Sequence, residues 1–209
     1  TAVRAGAAGG ASSTRGIWGG GGSPVFAPTN LGNVLDYVTI SSTGNAVDFG
    51  DLQRGKQQPG NASSAVRSLF MGGYITGGPT NEIDFITIAS TGNASDFGDL
   101  SQIRKNVSGL SSPTRGICGA GETPTTVNTI DYVTIASTGN AVDYGDLTQA
   151  RFCGGGCSSP TRGVFAGGQG SVPYPNYNII DYVTIATLGN ATDFGDLTSS
   201  GINYLFSCS

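Results

Sequence analysis

With a formal net charge of −4 on 209 residues and only 10 Lys and Arg, the chain has no basic patch to neutralise phosphates, so neither nucleic acid nor a membrane is expected as a partner. It contains no histidine, which excludes Ser-His-Asp and Cys-His catalysis and histidine-held catalytic metals. Charged residues make up 11% against about 25% in an ordinary soluble domain, and glycine contributes 35 residues, a composition of strands and turns.

The chain opens on a small-residue stretch, 1–11, with Arg4 near its start. A strand follows at 14–20, carrying Arg15 and Trp18. Residues 19–22 are four glycines, but they lead to Pro24 and no helix, so they are not a phosphate-binding loop. After the connection 21–33, the β-branched and aromatic run 35–40 reads as a strand. The turn Thr43-Gly44-Asn45 joins it in a hairpin to Asp48-Phe49-Gly50-Asp51-Leu52.

The same order then recurs. The Asp-Phe-Gly-Asp-Leu motif returns at 96–100, at 143–147 with Tyr144 for Phe, and at 193–197. The β-branched run returns at 83–88, 130–135 and 180–185, and the turn at 91–93, 138–140 and 188–190. Four repeats result, 1–52, 53–100, 101–147 and 148–197, with an extra terminal strand at 198–209. No 3.6-residue apolar period and no apolar run of about 20 residues competes. Four short strands in a period near 48 residues predict an all-β chain of four four-stranded propeller blades, closed or part of a larger array. Phe49, Phe97, Tyr144 and Phe194 are expected at matching buried places. Thr1 at the start and the single methionine, Met71, point to a processed product or a piece of a longer chain.

The doublet Gly167-Gly168, the Asp181-Tyr182 strand and the step from Phe194 to Leu197 resemble kelch repeats, with Phe or Tyr replacing the usual Trp of the third strand and Gly-Asp standing before Leu. The segment Asp131-Tyr132-Val133-Thr134-Ile135 through Leu147 also resembles repeats in virion structural and tail-fibre proteins of phages that infect cyanobacteria. That likeness implies a virion or extracellular location, self or neighbouring virion subunits as partners, and contact with host-surface carbohydrate. The alternative class is a cellular or extracellular kelch-type interaction or filament protein.

The twelve aspartates occupy three recurring columns: Asp36, Asp84, Asp131 and Asp181; Asp48, Asp96, Asp143 and Asp193; Asp51, Asp99, Asp146 and Asp196. Arg15, Arg67, Arg115 and Arg162 form one basic column and Arg4, Arg104 and Arg151 another, with Arg54 two residues out of register. One catalytic centre needs charges that break a repeat, so these read as turn caps and ion pairs, the chain is expected not to be an enzyme, and no cofactor is implied. A calcium loop on Asn45, Asp48 and Asp51 and their equivalents is the rival reading.

The connections 21–33, 74–81, 120–128 and 169–178 do not repeat, and recognition usually sits on such loops. Trp18, Phe26, Tyr74, Tyr174 and Tyr177 lie in or beside them, as a sugar platform or as rings covering the rim or a neighbouring subunit. Asn61, Asn93, Asn106 and Asn190 begin Asn-x-Ser/Thr acceptor sequences. Cys118, Cys153, Cys157 and Cys208 are expected as small buried strand residues, with a Cys153–Cys157 bridge across three glycines as the other reading.

Overall fold

The computed structural model describes residues 4–22, 31–152 and 154–199. These form β-strands and loops throughout. The first sheet contains β1 (Ala8–Ala11), β2 (Arg15–Gly19), β3 (Val34–Thr39) and β4 (Val47–Asp51). Next come β5 (Lys56–Gln57), β6 (Gly60–Ser63), β7 (Arg67–Met71), β8 (Tyr74–Ile75), β9 (Gly78–Thr87) and β10 (Ser95–Arg104). Of these, β6, β7, β9 and β10 repeat the first sheet, and β5 and β8 pair beside them. The third sheet is β11 (Ser108–Ser111), β12 (Arg115–Gly119), β15 (Thr129–Thr134) and β16 (Val142–Asp146), with the small ladder of β13 (Glu122–Thr123) and β14 (Thr125–Thr126) in its connection. The fourth is β17 (Gly155–Ser158), β18 (Arg162–Ala166), β19 (Ile179–Thr184) and β20 (Thr192–Asp196). All four are antiparallel meanders in chain order, as the four expected strands per repeat require.

The apolar core lies between sheets rather than within them. Phe49, Leu35 and Leu52 of the first unit pack with Phe70, Ile86, Ile88 and Ala94 of the second. Phe97, Ile83 and Leu100 pack with Cys118, Val133 and Ile135 of the third. Tyr144, Ile130 and Leu147 pack with Phe165, Val183, Ile185 and Ala191 of the fourth. Strands of the two inner units therefore bury residues on both faces, as Ile83 and Ile86 of β9 enter different clusters, whereas β19 of the fourth unit buries Asp181 and Val183 and leaves Thr184 exposed.

Each aromatic ring of the Asp-Phe-Gly-Asp motif is the extra residue of a β-bulge. The register with the neighbouring strand shifts between Asp96 and Gly98, and likewise opposite Ile130 and Asp131. The bulge turns the ring out of its own sheet and under the next unit. The glycine that follows is held at positive φ, 140° at Gly98, and a Cβ there would lie 2.5 Å from the Gly139 carbonyl oxygen of the next turn. No other residue type fits that approach.

The fourth unit departs from the expectation. Phe97 is 2% exposed, and Phe49 and Tyr144 are equally buried, but Phe194 is 55% exposed. No following unit among the described residues covers it. At the other end Ile40 is also 55% exposed, whereas its counterparts Ile88, Ile135 and Ile185 are buried. The four sheets thus form an open array with two unlike ends. Its inner edges meet as β6 lies against β1 and β11, and β11 against β17. The expected extra strand at 198–209 lies outside the described residues beyond Ser199.

Candidate functional site

Each sheet sets one cation against one aspartate of the first column, with Lys56, Arg104 and Arg151 fully buried and Arg4 partly so. Arg104 Nη2 lies 2.6 Å from Asp131 Oδ2, while its Nη1 donates to the carbonyls of Ala120 and Thr129 at 3.0 and 2.7 Å. Arg151 pairs with Asp181 at 2.8 Å, and Thr148 Oγ1 donates to the other carboxylate oxygen. Arg4 meets Asp36 and donates to the Gly20 and Val34 carbonyls. In the second unit the partner is Lys56, with Nζ 2.9 Å from Asp84 Oδ2 and both groups fully buried. Arg54, which the sequence places two residues out of register in this column, instead sits at the surface 3.4 Å from Glu82.

Lys56 supplies less than the arginines do. Its ammonium meets the carboxylate off the hydrogen-bond direction, so neither oxygen of Asp84 accepts a well-aligned bond. Burial pushes the Asp84 carboxyl above its ordinary 3.8, against the lowering effect of Lys56.

The other two acidic columns line the outer hairpins. Oδ1 of Asp96, Asp143 and Asp193 accepts the N–H of Gly98, Gly145 and Gly195, capping the bulge. In the third column, the backbone N–H of Asp51, Asp99 and Asp146 donates to the side-chain oxygen of Asn93, Asn140 and Asn190 in the next unit's turn. The carboxylates of Asp51, Asp99 and Asp146 accept no bond among the described residues, so this column is neither a cap nor an ion pair. For the calcium reading, the turn amide oxygens are engaged across the junctions, and among the described residues no three carboxylates converge.

The candidate aromatics do not converge either. Trp18 is 44% exposed on β2 at the open end of the first unit. Tyr74 is half-buried in the second unit, with Lys105 Nζ 5.3 Å above its ring. Tyr174 and Tyr177 share the fourth unit's loop, where Tyr174 is exposed and meets Phe152 edge-on at 6.3 Å. Phe26 lies outside the described residues. Of the acceptor asparagines, Asn93 and Asn190 are exposed in turns, while Asn61 and Asn106 are buried with their amides bonded to Ser68 and Glu122. Cys118 is buried as expected, and burial pushes its thiol up to about 12. Cys157 is in β17 but exposed, at a place where its counterparts Ala62 and Leu110 are buried against the following unit. Cys153 and Cys208 lie outside the described residues.

One feature draws on all four units. Ala11, Ser63, Ser111, Pro113, Ser158 and Pro160, at the ends of the inner strands, line a shared cavity of about 280 Å³. These Ser-Ser and Ser-Pro turns recur in register, so the repeat itself marks the place, although no charged or aromatic residue does. No known protein-family model matches the chain. No curated protein matches it.

Proposed function

We propose that the chain is a non-enzymatic structural component of a phage virion, in a fibre or peripheral appendage, built as an arc of kelch-like β-propeller blades. It packs against its own kind or neighbouring virion subunits, and its outer loops, with Tyr174 and Tyr177 foremost, contact host-surface carbohydrate. The observation that carries this reading is the fate of the charges. A cation–aspartate pair stands at the same place in each of four sheets, so the ionisable groups hold the scaffold rather than tune one centre. The shared inner cavity, lined by the same turn of every unit, is what blades around one axis produce.

The test is mass spectrometry of purified particles. Peptides of this chain are expected alongside capsid and tail proteins at structural stoichiometry. Recovery only from the cell envelope or secreted fraction of a host would replace this reading with the cellular kelch-type interaction or filament protein. For the carbohydrate, Tyr174→Ala is expected to reduce binding to host-surface glycans and leave the melting temperature unchanged.

A further inference from the structure

The three internal junctions are built alike. At each one, an arginine of the earlier unit donates to an isoleucine carbonyl of the later: Arg15 to Ile88 at 2.7 Å, Arg67 to Ile135 at 3.0 Å, Arg115 to Ile185 at 2.8 Å. The later turn donates back through glycine and alanine N–H groups, as Gly139 to Phe97 and Ala141 to Asp99, both at 2.7 Å. The second residue of each doublet, Gly21, Gly73 and Gly121, donates to the carbonyl of Lys56, Arg104 and Arg151. Together with the asparagine bond, this makes a repeated polar frame around an apolar contact.

Each end of the array holds one half of that frame. On the fourth unit, the Arg162 guanidinium, the Gly168 N–H, the Phe194 carbonyl and the Asp196 backbone lack these partners among the described residues. On the first unit, so do the Ile40 carbonyl, the Gly44 and Ala46 N–H groups, the Asn45 side chain and the Arg4 carbonyl. A Cβ built at Gly98 or Gly145 runs into the next turn, but at Gly195 it meets nothing.

Apolar contacts fill the frame, with a ring against a glycine at the first and third junctions and Met71 beside Cys118 at the middle one. Phe70 fits against Gly19 and Phe165 against Gly119, a ring on a residue without a side chain. Trp18 is the counterpart of those rings, and the place it would meet on the fourth unit is Ala166, where a methyl stands in place of glycine; a Cβ at Gly19 or Gly119 would lie 2.6 to 2.8 Å from the ring, so the indole must seat displaced from the position the phenyl rings take. The fourth face is also already in its docked arrangement. Arg162 stacks over Tyr182 at 4.6 Å and Phe194 meets Tyr182 edge-on at 6.0 Å, as Arg67, Phe85 and Phe97 do at 4.6 and 5.8 Å in a filled junction. A face so preorganised binds with little ordering cost.

We infer that a second copy of this chain seats its first unit on the open face of the fourth, repeating the internal junction head to tail. The contact is heterologous, so it yields a closed ring where the rotation closes and a filament where it does not. It deepens the proposed structural role and rests on that reading for its biological setting, while the geometry rests on the three internal junctions.

The test uses the purified chain, by light scattering on a size-exclusion column over a concentration series. The wild type is expected to show two or more copies. Phe194→Glu and Trp18→Glu, each at an exposed position, are expected to weaken self-association by about thirtyfold or more, as loss of an interface anchor does. Mixed, the two variants should form a one-to-one dimer and nothing larger, because each retains the half that the other has lost. If Trp18→Glu fails to fold, Ile40→Glu takes its place, with the circular dichroism spectrum as the check. A wild type that stays monomeric throughout, variants that assemble normally, or a mixture that does not complement would each overturn the inference. None of these outcomes bears on whether the chain is found in particles.

Discussion

Lys56 occupies the place that Arg4, Arg104 and Arg151 hold in the sister sheets, four residues ahead of the inner strand in every case. An ammonium has no planar fork, so it gives up the two carbonyl bonds that Arg104 makes and leaves Asp84 poorly bonded. Lys56→Arg is therefore expected to raise stability by about 1 kcal/mol or more in urea unfolding. Asp131→Asn should lower it by about 3 kcal/mol, because Arg104 then remains buried and uncompensated. The pH dependence has a definite sign. Asp84 is raised above 3.8, so the folded state keeps its proton after the unfolded chain has lost it. Its contribution is fully present below 3.8 and is lost as pH rises through the folded value. Subtracting the unfolding profile of Asp84→Asn from that of the wild type should show this loss, and Lys56→Arg should reduce it. The Lys56 assignment was legible in the sequence, since Lys56 aligns with Arg104 at the repeat offset of 48, but a search for arginine alone passes over it.

At the level of the element, the bulged hairpin explains both what the repeat foretold and where it misled. The strand runs, the Thr-Gly-Asn turns and the aromatic position all appear where the sequence places them. The burial of Phe194 does not, because the motif determines only that the ring leaves its own sheet, while the covering surface comes from the next unit's turn. A sequence motif can repeat without its environment repeating. The same reasoning accounts for Trp18, whose exposure reflects an uncovered end, while the short ladder of β5 with β8 extends a bridge that recurs in the other units as Ala5 with Gly22, Lys105 with Glu122 and Phe152 with Gln169. It follows that Phe97→Ala and Phe194→Ala, identical in chemistry, should differ sharply in dilute solution where the chain is monomeric. The first removes a ring from a filled junction and is expected to cost about 3–5 kcal/mol. The second alters an exposed ring and should change stability by about 0.5 kcal/mol or less. Comparable losses at the two sites in monomeric protein would contradict the open end.

Across the whole molecule, stability follows from counting junctions. The second and third units each contribute to two apolar clusters, while the first and fourth contribute to one. In an array of this kind stability is a sum of unit and neighbour terms, so the end units open first. β20 shows this most plainly, since it is largely exposed where the equivalent β16 holds Tyr144 buried, although both strands keep the same ladder with their neighbours. Backbone hydrogen exchange should therefore find the amides of β7 and β12 slowest and those of β20 fastest among the ladder-bonded strands. Protein concentration then separates an array with a free end from one that associates through it. As concentration rises, head-to-tail docking should slow exchange in β20 and in the 40–46 turn together, and leave β12 and β16 unchanged. Protection that is equal in all four sheets at every concentration would instead mean that the first and fourth units close on each other within one chain, and the account of two unlike, complementary ends would fail.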